Sequence, residues 1–287
     1  MSMSHAPQGR FQALRYAVGR AGAWALLLMA VVWSFFPIFF IFSSSFTEPA
    51  RIFSYPPTVI SPPTLENYRA LLADWPQFFS SMRNSAIIML GAVLATVVVC
   101  LPGAYALSRF RNKFTQNAGM MVIVARMFPP IIITIPLFPI LQMSGMADTH
   151  VVMMILYASF YLSLGVWILK NFMDTIPYEL EEAAFIEGSS RVRTFMTIIL
   201  PLSWSGIVSV SILVAIFCWN EFLFAFLFTS FNAVTTPVLL NEMLGAMFGV
   251  SWGPLFAATS IQLLPILLFI WIMQKFLVEG TGFASEK

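Results

Sequence analysis

Residues 181–201, EEAAFIEGSSRVRTFMTIILP, set three carboxylates, two arginines and a glycine between two long apolar runs. So short a polar segment in otherwise apolar sequence reads as a connection between membrane spans, and the composition around it agrees. Of 287 residues, 59% are hydrophobic and 10% charged, with 29 Phe and 17 Met. Soluble domains carry about 25% charged residues, so this chain lacks the polar surface to cover a soluble core. It reads as an all-α integral membrane protein. A net charge of +2 without a basic cluster offers nothing to nucleic acid. Cys100 and Cys218 lie in separate apolar runs and read as small buried hydrophobes, not as a disulfide or metal site. Arg10, Arg15 and Arg20 precede the first apolar run, which is too long for a signal peptide and lacks a small-residue cleavage site. An uncleaved first span is expected.

A helix needs about 20 apolar residues to cross the hydrocarbon core. Six segments qualify, at 23–45, 85–107, 118–142, 151–173, 204–227 and 255–276, which puts the opening stretch between spans four and five. The third span contains MFPPIIITIPLFPIL (127–141), whose four prolines remove backbone donors and predict a kinked or broken helix. Packing alone accounts for such kinks; a bent helix beside a pathway is the functional alternative.

The basic residues set the orientation. With the N-terminus in the cytoplasm, the inner segments hold Arg10, Arg15, Arg20, Arg109, Arg111, Lys113, Lys170, Arg191, Arg193, Lys275 and Lys287. The outer segments hold Arg51, Arg69 and Arg83, a clear positive-inside bias. Both termini are therefore expected in the cytoplasm. The organisation is a tail (1–22), a six-span domain (23–276) with a cytoplasmic two-helix loop at 174–203, and a second tail (277–287). Outside lie a proline-rich stretch in 46–84 and an apolar connection at 228–254, which is expected to dip toward the membrane or offer a surface to a partner.

Within the polar loop, Thr175 and Pro177 read as helix-start signals, and Asp174, Glu179, Glu181 and Glu182 complement the helix dipole. Gly188 reads as the stop. Leu180, Ala183 and Ala184 are expected on one nearly flat face, open to close approach. Ser189 or Ser190 should cap a second short helix, RVRTFMTIIL, closed by Pro201. Two short helices meeting at a glycine form an elbow, although a solvated loop with ordinary caps fits the same features.

Glu182-Ala183-Ala184, three residues, Gly188, nine residues, then Ile198-x-Leu200-Pro201 resembles the cytoplasmic signature of permease subunits in binding-protein-dependent ABC importers. The stretches PLFPILQMSGMADTHVVMMILY, PYELEEAAFIEGS, CWNEFLFAF and FLVEGTGFASEK extend the resemblance to the maltose-type carbohydrate branch across most of the chain. The resemblance implies that the loop couples to an ATPase, with Glu181, Glu182, Ala183, Ala184, Glu187, Gly188, Ile198, Leu200 and Pro201 as the coupling residues. It also implies a homologous second permease, two ATP-binding subunits and an external solute-binding protein in the bacterial inner membrane. No G-x-x-x-x-G-K-[ST] phosphate loop occurs in the sequence. The expectation is a transporter subunit that is not itself an enzyme and has no cofactor of its own, with ATP and Mg on the partner ATPase.

Arg126 lies inside the third span, where a central arginine costs about 2.5–3.5 kcal/mol and so must face protein or water. Glu221 of CWNEF is its candidate partner in a structural ion pair; pairing with the second permease is another possibility. Alternatively Arg126, Asn220 and Glu221 line the translocation cavity, where a guanidinium would suit a sulfonate, phosphate or carboxylate on a sugar derivative. His5 and His150 have no metal-ligand neighbours at useful spacing. Trp24, Trp33, Tyr161, Trp167 and Trp271 suit an aromatic belt facing lipid. Gly91 and Ala95 form a small pair suited to close helix packing. A membrane hydrolase would need a nucleophile–base pair that the sequence lacks, and an ion-coupled carrier working alone would want more intramembrane carboxylates than Glu221.

Overall fold

A computed structural model describes residues 8–55, 62–110, 112–245 and 249–282, with side-chain detail between Gly19 and Ile272. His5 and the 283–287 tail fall outside them. Every regular element among the described residues is helical: α1 (Gln8–Ser45), a turn at Pro49–Arg51, α2 (Glu66–Asp74), α3 (Phe78–Arg109), α4 (Lys113–Met127), α5 (Pro130–Met143) and α6 (His150–Asp174). Then follow α7 (Glu179–Ile186), α8 (Arg191–Leu202), α9 (Trp204–Trp219), α10 (Leu223–Phe228), α11 (Thr236–Leu244) and α12 (Trp252–Gly282). Among the described residues four helices are long and apolar enough to span a membrane: α1 from Gly19, α3, α6, and α12 to Ile272. Six spans result if each bent pair, α4–α5 and α8–α9, counts as one.

The prolines break the third span outright. α4 and α5 meet at 87°, with Phe128 and Pro129 extended between them. The fifth segment is also interrupted: α9 ends at Trp219, residues 220–222 break the helix, and α10 restarts at Leu223. With 16 residues, α9 falls short of a full crossing.

Contacts divide the chain into two compact units. The first comprises residues up to Ala73 together with 251–260. Here Asn67, fully buried, donates from Nδ2 to the carbonyls of Ser45 (2.9 Å) and Thr47 (2.7 Å), satisfying acceptors orphaned where α1 ends. Tyr68 links Ser45 and Ser260 through its hydroxyl at 2.8 and 3.0 Å, and Phe40 meets Phe256 edge-on. None of the apolar stretch of α1 is buried within the chain, and Trp24 and Trp33 are exposed on its surface.

The second unit, residues 74–250 and 261 onward, is organised around α3, α6 and α9. Ile88, Ala92, Thr96, Cys100 and Ala104 recur every fourth residue and are fully buried. That stripe of mostly small side chains lets helices approach closely, which in lipid stands in for hydrophobic driving force. The approach is tight: a Cβ on Gly165 of α6 would lie 2.7 Å from Cys100 Sγ, and Gly91 sits under Met154. Tyr161 stacks on Phe217 at 5.6 Å, so it packs inward and not toward lipid.

The connection from α5 to α6 is held from a distance. Asp148 adopts φ 57°, a region that Asp tolerates, and its carboxylate accepts from the backbone N–H groups of Ser230, Phe231, Asn232 and Ala233 at 2.8–3.0 Å. Burial pushes this carboxyl up, but the four donors together hold it below the usual range. His150 opens α6 and bonds through Nε2 to Asn84 Oδ1 at 2.9 Å. The 228–254 connection contains α11, whose Val238, Leu239 and Met243 are buried.

Candidate functional site

The elbow is built as two short helices around Gly188. α7 begins at Glu179, two residues later than the start signals suggest, and no side chain caps it; Thr175 instead closes α6. Three glutamates in its first turn face the positive end of its dipole. Gly188 has φ 83°, the left-handed conformation in which glycine ends a helix without strain. Ser190 then caps α8 by accepting from Arg193 N at 3.3 Å. Within α8, Phe195–Ile199 widens into a π-helical turn, and the helix continues past Pro201 to Leu202. Arg191 lies over the rings of Phe110 and Phe185 at 5.2 and 5.5 Å, which pins the second helix against the first.

The acidic residues divide by the face they occupy. Glu182 and Glu187 are exposed, as are Ala183 and Gly188. Glu181 is 1% exposed; its carboxylate pairs with the Arg109 guanidinium and accepts from Tyr105 Oη at 2.7 Å. Glu181 therefore lies off the exposed face of the elbow, unlike Glu182. Ala184 is likewise buried, so the flat open face expected of Leu180, Ala183 and Ala184 reduces to Leu180 and Ala183. Ile198 and Leu200 pack against the core of the second unit, while Pro201 is exposed. Besides Glu182 and Glu187 the elbow exposes apolar residues: Ile186 is 88%, Val192 70% and Met196 54% exposed. Sequence reading passed over these three because each looks like an ordinary helix residue.

Arg126 and Asn220 line two different pockets of this chain. Arg126, in the last turn of α4, lines a pocket of about 350 Å³ with Ser159, Ser163, Phe160 and Phe224. No ion pair to Arg126 occurs among the described residues. Glu221 does not reach it. Its two carboxylate oxygens accept from Phe224 N (2.9 Å) and Ala225 N (3.3 Å), satisfying the first free N–H groups of α10. The expected Arg126–Glu221 pair is thus replaced by a local cap, a partner nearer in sequence. Asn220 donates to Ile216 O at 2.8 Å and opens on a separate groove with Phe222, Asn241 and Gln262. No cluster of three or more potential metal ligands occurs among the described residues.

Comparison with known proteins places this geometry. Residues 88–279 match the model of the binding-protein-dependent transport system inner membrane component family. Over 256 residues the chain is 36% identical to the trehalose/maltose transport system permease protein MalG of Thermococcus litoralis, covering 88% of this chain and 91% of the relative. It is 32% identical over 271 residues to the trehalose transport system permease protein SugB of Mycobacterium tuberculosis, covering 93% and 98%. A crystal structure of a bacterial ABC transporter involved in import of the acidic polysaccharide alginate contains a chain of the same fold. It superposes with a TM-score of 0.75 at 21% identity and covers 96% of this chain and 99% of that one. In this family the ATPase is a separate subunit. The chain belongs to the binding-protein-dependent transport system inner membrane components, as a permease subunit and not an enzyme.

Proposed function

We propose that the chain forms half of the translocation pathway of a sugar-importing ABC transporter, and that the elbow at 174–203 docks on the ATP-binding subunit. The observation that carries this reading is the elbow's exposed residues, among them the apolar Ile186, Val192 and Met196 and the acidic Glu182 and Glu187. Exposed apolar side chains on a polar connection suit an interaction surface. The positive-inside bias puts that surface, and both termini, in the cytoplasm. The assembly comprises a second, homologous permease, two ATP-binding subunits carrying ATP and Mg, and an external solute-binding protein. Relatives named for trehalose and maltose support a sugar as solute.

Arg126 refines the solute class. An arginine with no ion pair among the described residues, in a pocket shared with two serines and two phenylalanines, is suited to a sugar derivative bearing a carboxylate, sulfonate or phosphate. Asn220 takes a separate place, on its own groove, and Glu221 acts as a helix cap.

The test is a mild-detergent pull-down of the tagged chain co-expressed with its operon neighbours, wild type against Gly188→Val. A valine at φ 83° is strained by about 1–3 kcal/mol although nothing lies within 4 Å of its Cβ, so the change acts through the backbone turn alone. The expected result is an ATPase that copurifies with wild type and loses solute-stimulated hydrolysis with the variant. Absence of any ATPase would overturn the reading and favour an ion-coupled carrier.

A further inference from the structure

Helix α3 is gripped by polar contacts at both of its ends. At the elbow end, Arg109 pairs with Glu181 and donates from Nη2 to Ile176 O at 3.0 Å. Tyr105 donates to the other Glu181 oxygen, and Ser108 donates to Asp174 Oδ1 at 2.6 Å. The Arg109 and Glu181 side chains are 7% and 1% exposed. At the other end, Asn84 Nδ2 donates to the carbonyls of Asn232 (2.9 Å) and Val234 (3.1 Å), and Ser85 Oγ accepts from Thr236 N at 2.9 Å. The same 230–233 segment is held by Asp148.

Asn84 and Ser108 are about 36 Å apart along the helix at 1.5 Å per residue. Between them the buried Ile88-to-Ala104 stripe and the close approach of Gly165 to Cys100 lock α3 along α6. Pro102 removes one internal donor, yet the helix runs unbroken to Arg109. By contrast, the elbow's own exit toward α9 passes through a π-helical turn and a 70° bend, so it is not one straight rod. A buried charge pair resists separation because each unpaired charge would be left without water.

We propose that α3 is the lever that carries movement of the elbow to the 230–236 segment on the opposite side of the membrane. Tyr105, Arg109 and Glu181 are its joint, and Asn84 and Ser85 its grip. Glu181 is then a positioning residue that holds the elbow to the lever, not a contact with the ATPase. The inference rests on the reading of the elbow as the ATPase contact.

The test uses the assembled transporter in proteoliposomes, with Mg-ATP and vanadate as the probe and no solute required. Phe231, 91% exposed on the gripped segment, is replaced by Cys as a reporter, and its modification rate by N-ethylmaleimide is measured with and without the probe. The expected result is a probe-dependent change of about twofold or more, lost when Glu181→Gln or Asn84→Ala is added. The double variant should be no worse than either single one, since both act on one rod. A response that survives Glu181→Gln, or no response in the parent, overturns the lever. Tyr105→Phe, which leaves the ion pair in place, is the milder variant and should weaken the response while the ATPase still copurifies. If both joint variants instead lose the ATPase altogether, the pair is a folding staple and the lever is overturned. If no ATPase copurifies with the parent chain, the docking reading fails first and the lever falls with it.

Discussion

Helices α3 and α6 and the bent pair α4–α5 are made of similarly apolar sequence, yet the two regions treat their surfaces in opposite ways. α3 buries a continuous stripe of small residues against α6, with glycines where the backbones come closest. In α4 and α5, Gly119, Thr134 and Leu141 are the buried residues, while Met120, Met121, Met127 and Ile135 are 67–77% exposed. Hydropathy does not separate a face meant for protein from a face meant for lipid or a partner. Residue size does, because close packing is the main source of helix association in a membrane. The rigid pair is a frame, and the bent pair is a surface the chain leaves open. Arg126 lies on that surface, where lipid alone would be a costly neighbour.

The comparison breaks if overpacking the frame is harmless. In Gly165→Val, the new Cβ falls 2.7 Å from Cys100 Sγ and 3.3 Å from Thr96 and Val210 side chains. A loss of about 1–3 kcal/mol is expected, read as a lower Tm in detergent. A truncation on the open surface, Met121→Ala, should stay within about 0.5 kcal/mol by the same measurement. Next in size, Arg126→Ala should leave Tm unchanged but lower uptake of an anionic sugar derivative by about tenfold, the loss of one charge-assisted contact. A neutral disaccharide taken up equally well by both proteins would sharpen the solute class; a loss shared by both solutes would count against it.

The smallest effect concerns the join between the two regions. Asp148 has a folded pKa held below its ordinary 3.8 by four backbone donors acting against burial. A depressed carboxylate contributes stability that is fully present above its unfolded pKa and is lost as pH falls through the folded value. Thermal stability in detergent should therefore decline below about pH 3.8 through this group, and Asp148→Asn should flatten that part of the profile. An unchanged profile in the variant would remove Asp148 from the account.

How much of this was legible in sequence differs from place to place, for physical reasons. The helical frame follows from hydropathy, and Gly188 from its position at a helix end, where a left-handed residue is needed. The four prolines announce a break in the third span but not its 87° angle. Glu181 could not be told from Glu182 by type or charge. Its partner Arg109 lies in another helix, and only the fold brings the two together. Arg126 and Glu221 suggested each other because intramembrane charges are scarce, yet the free N–H groups at the start of α10, three and four residues away, claimed Glu221 first.

The most direct test of the account is site-specific crosslinking from the elbow to the copurified ATP-binding subunit. Glu182→Cys stands on the exposed face of α7 and Ala184→Cys on its buried face. The account predicts that a short thiol-to-amine crosslinker joins position 182 to the ATPase and leaves position 184 unlinked. Equal crosslinking at both positions, or none at 182 with the ATPase present, would contradict it.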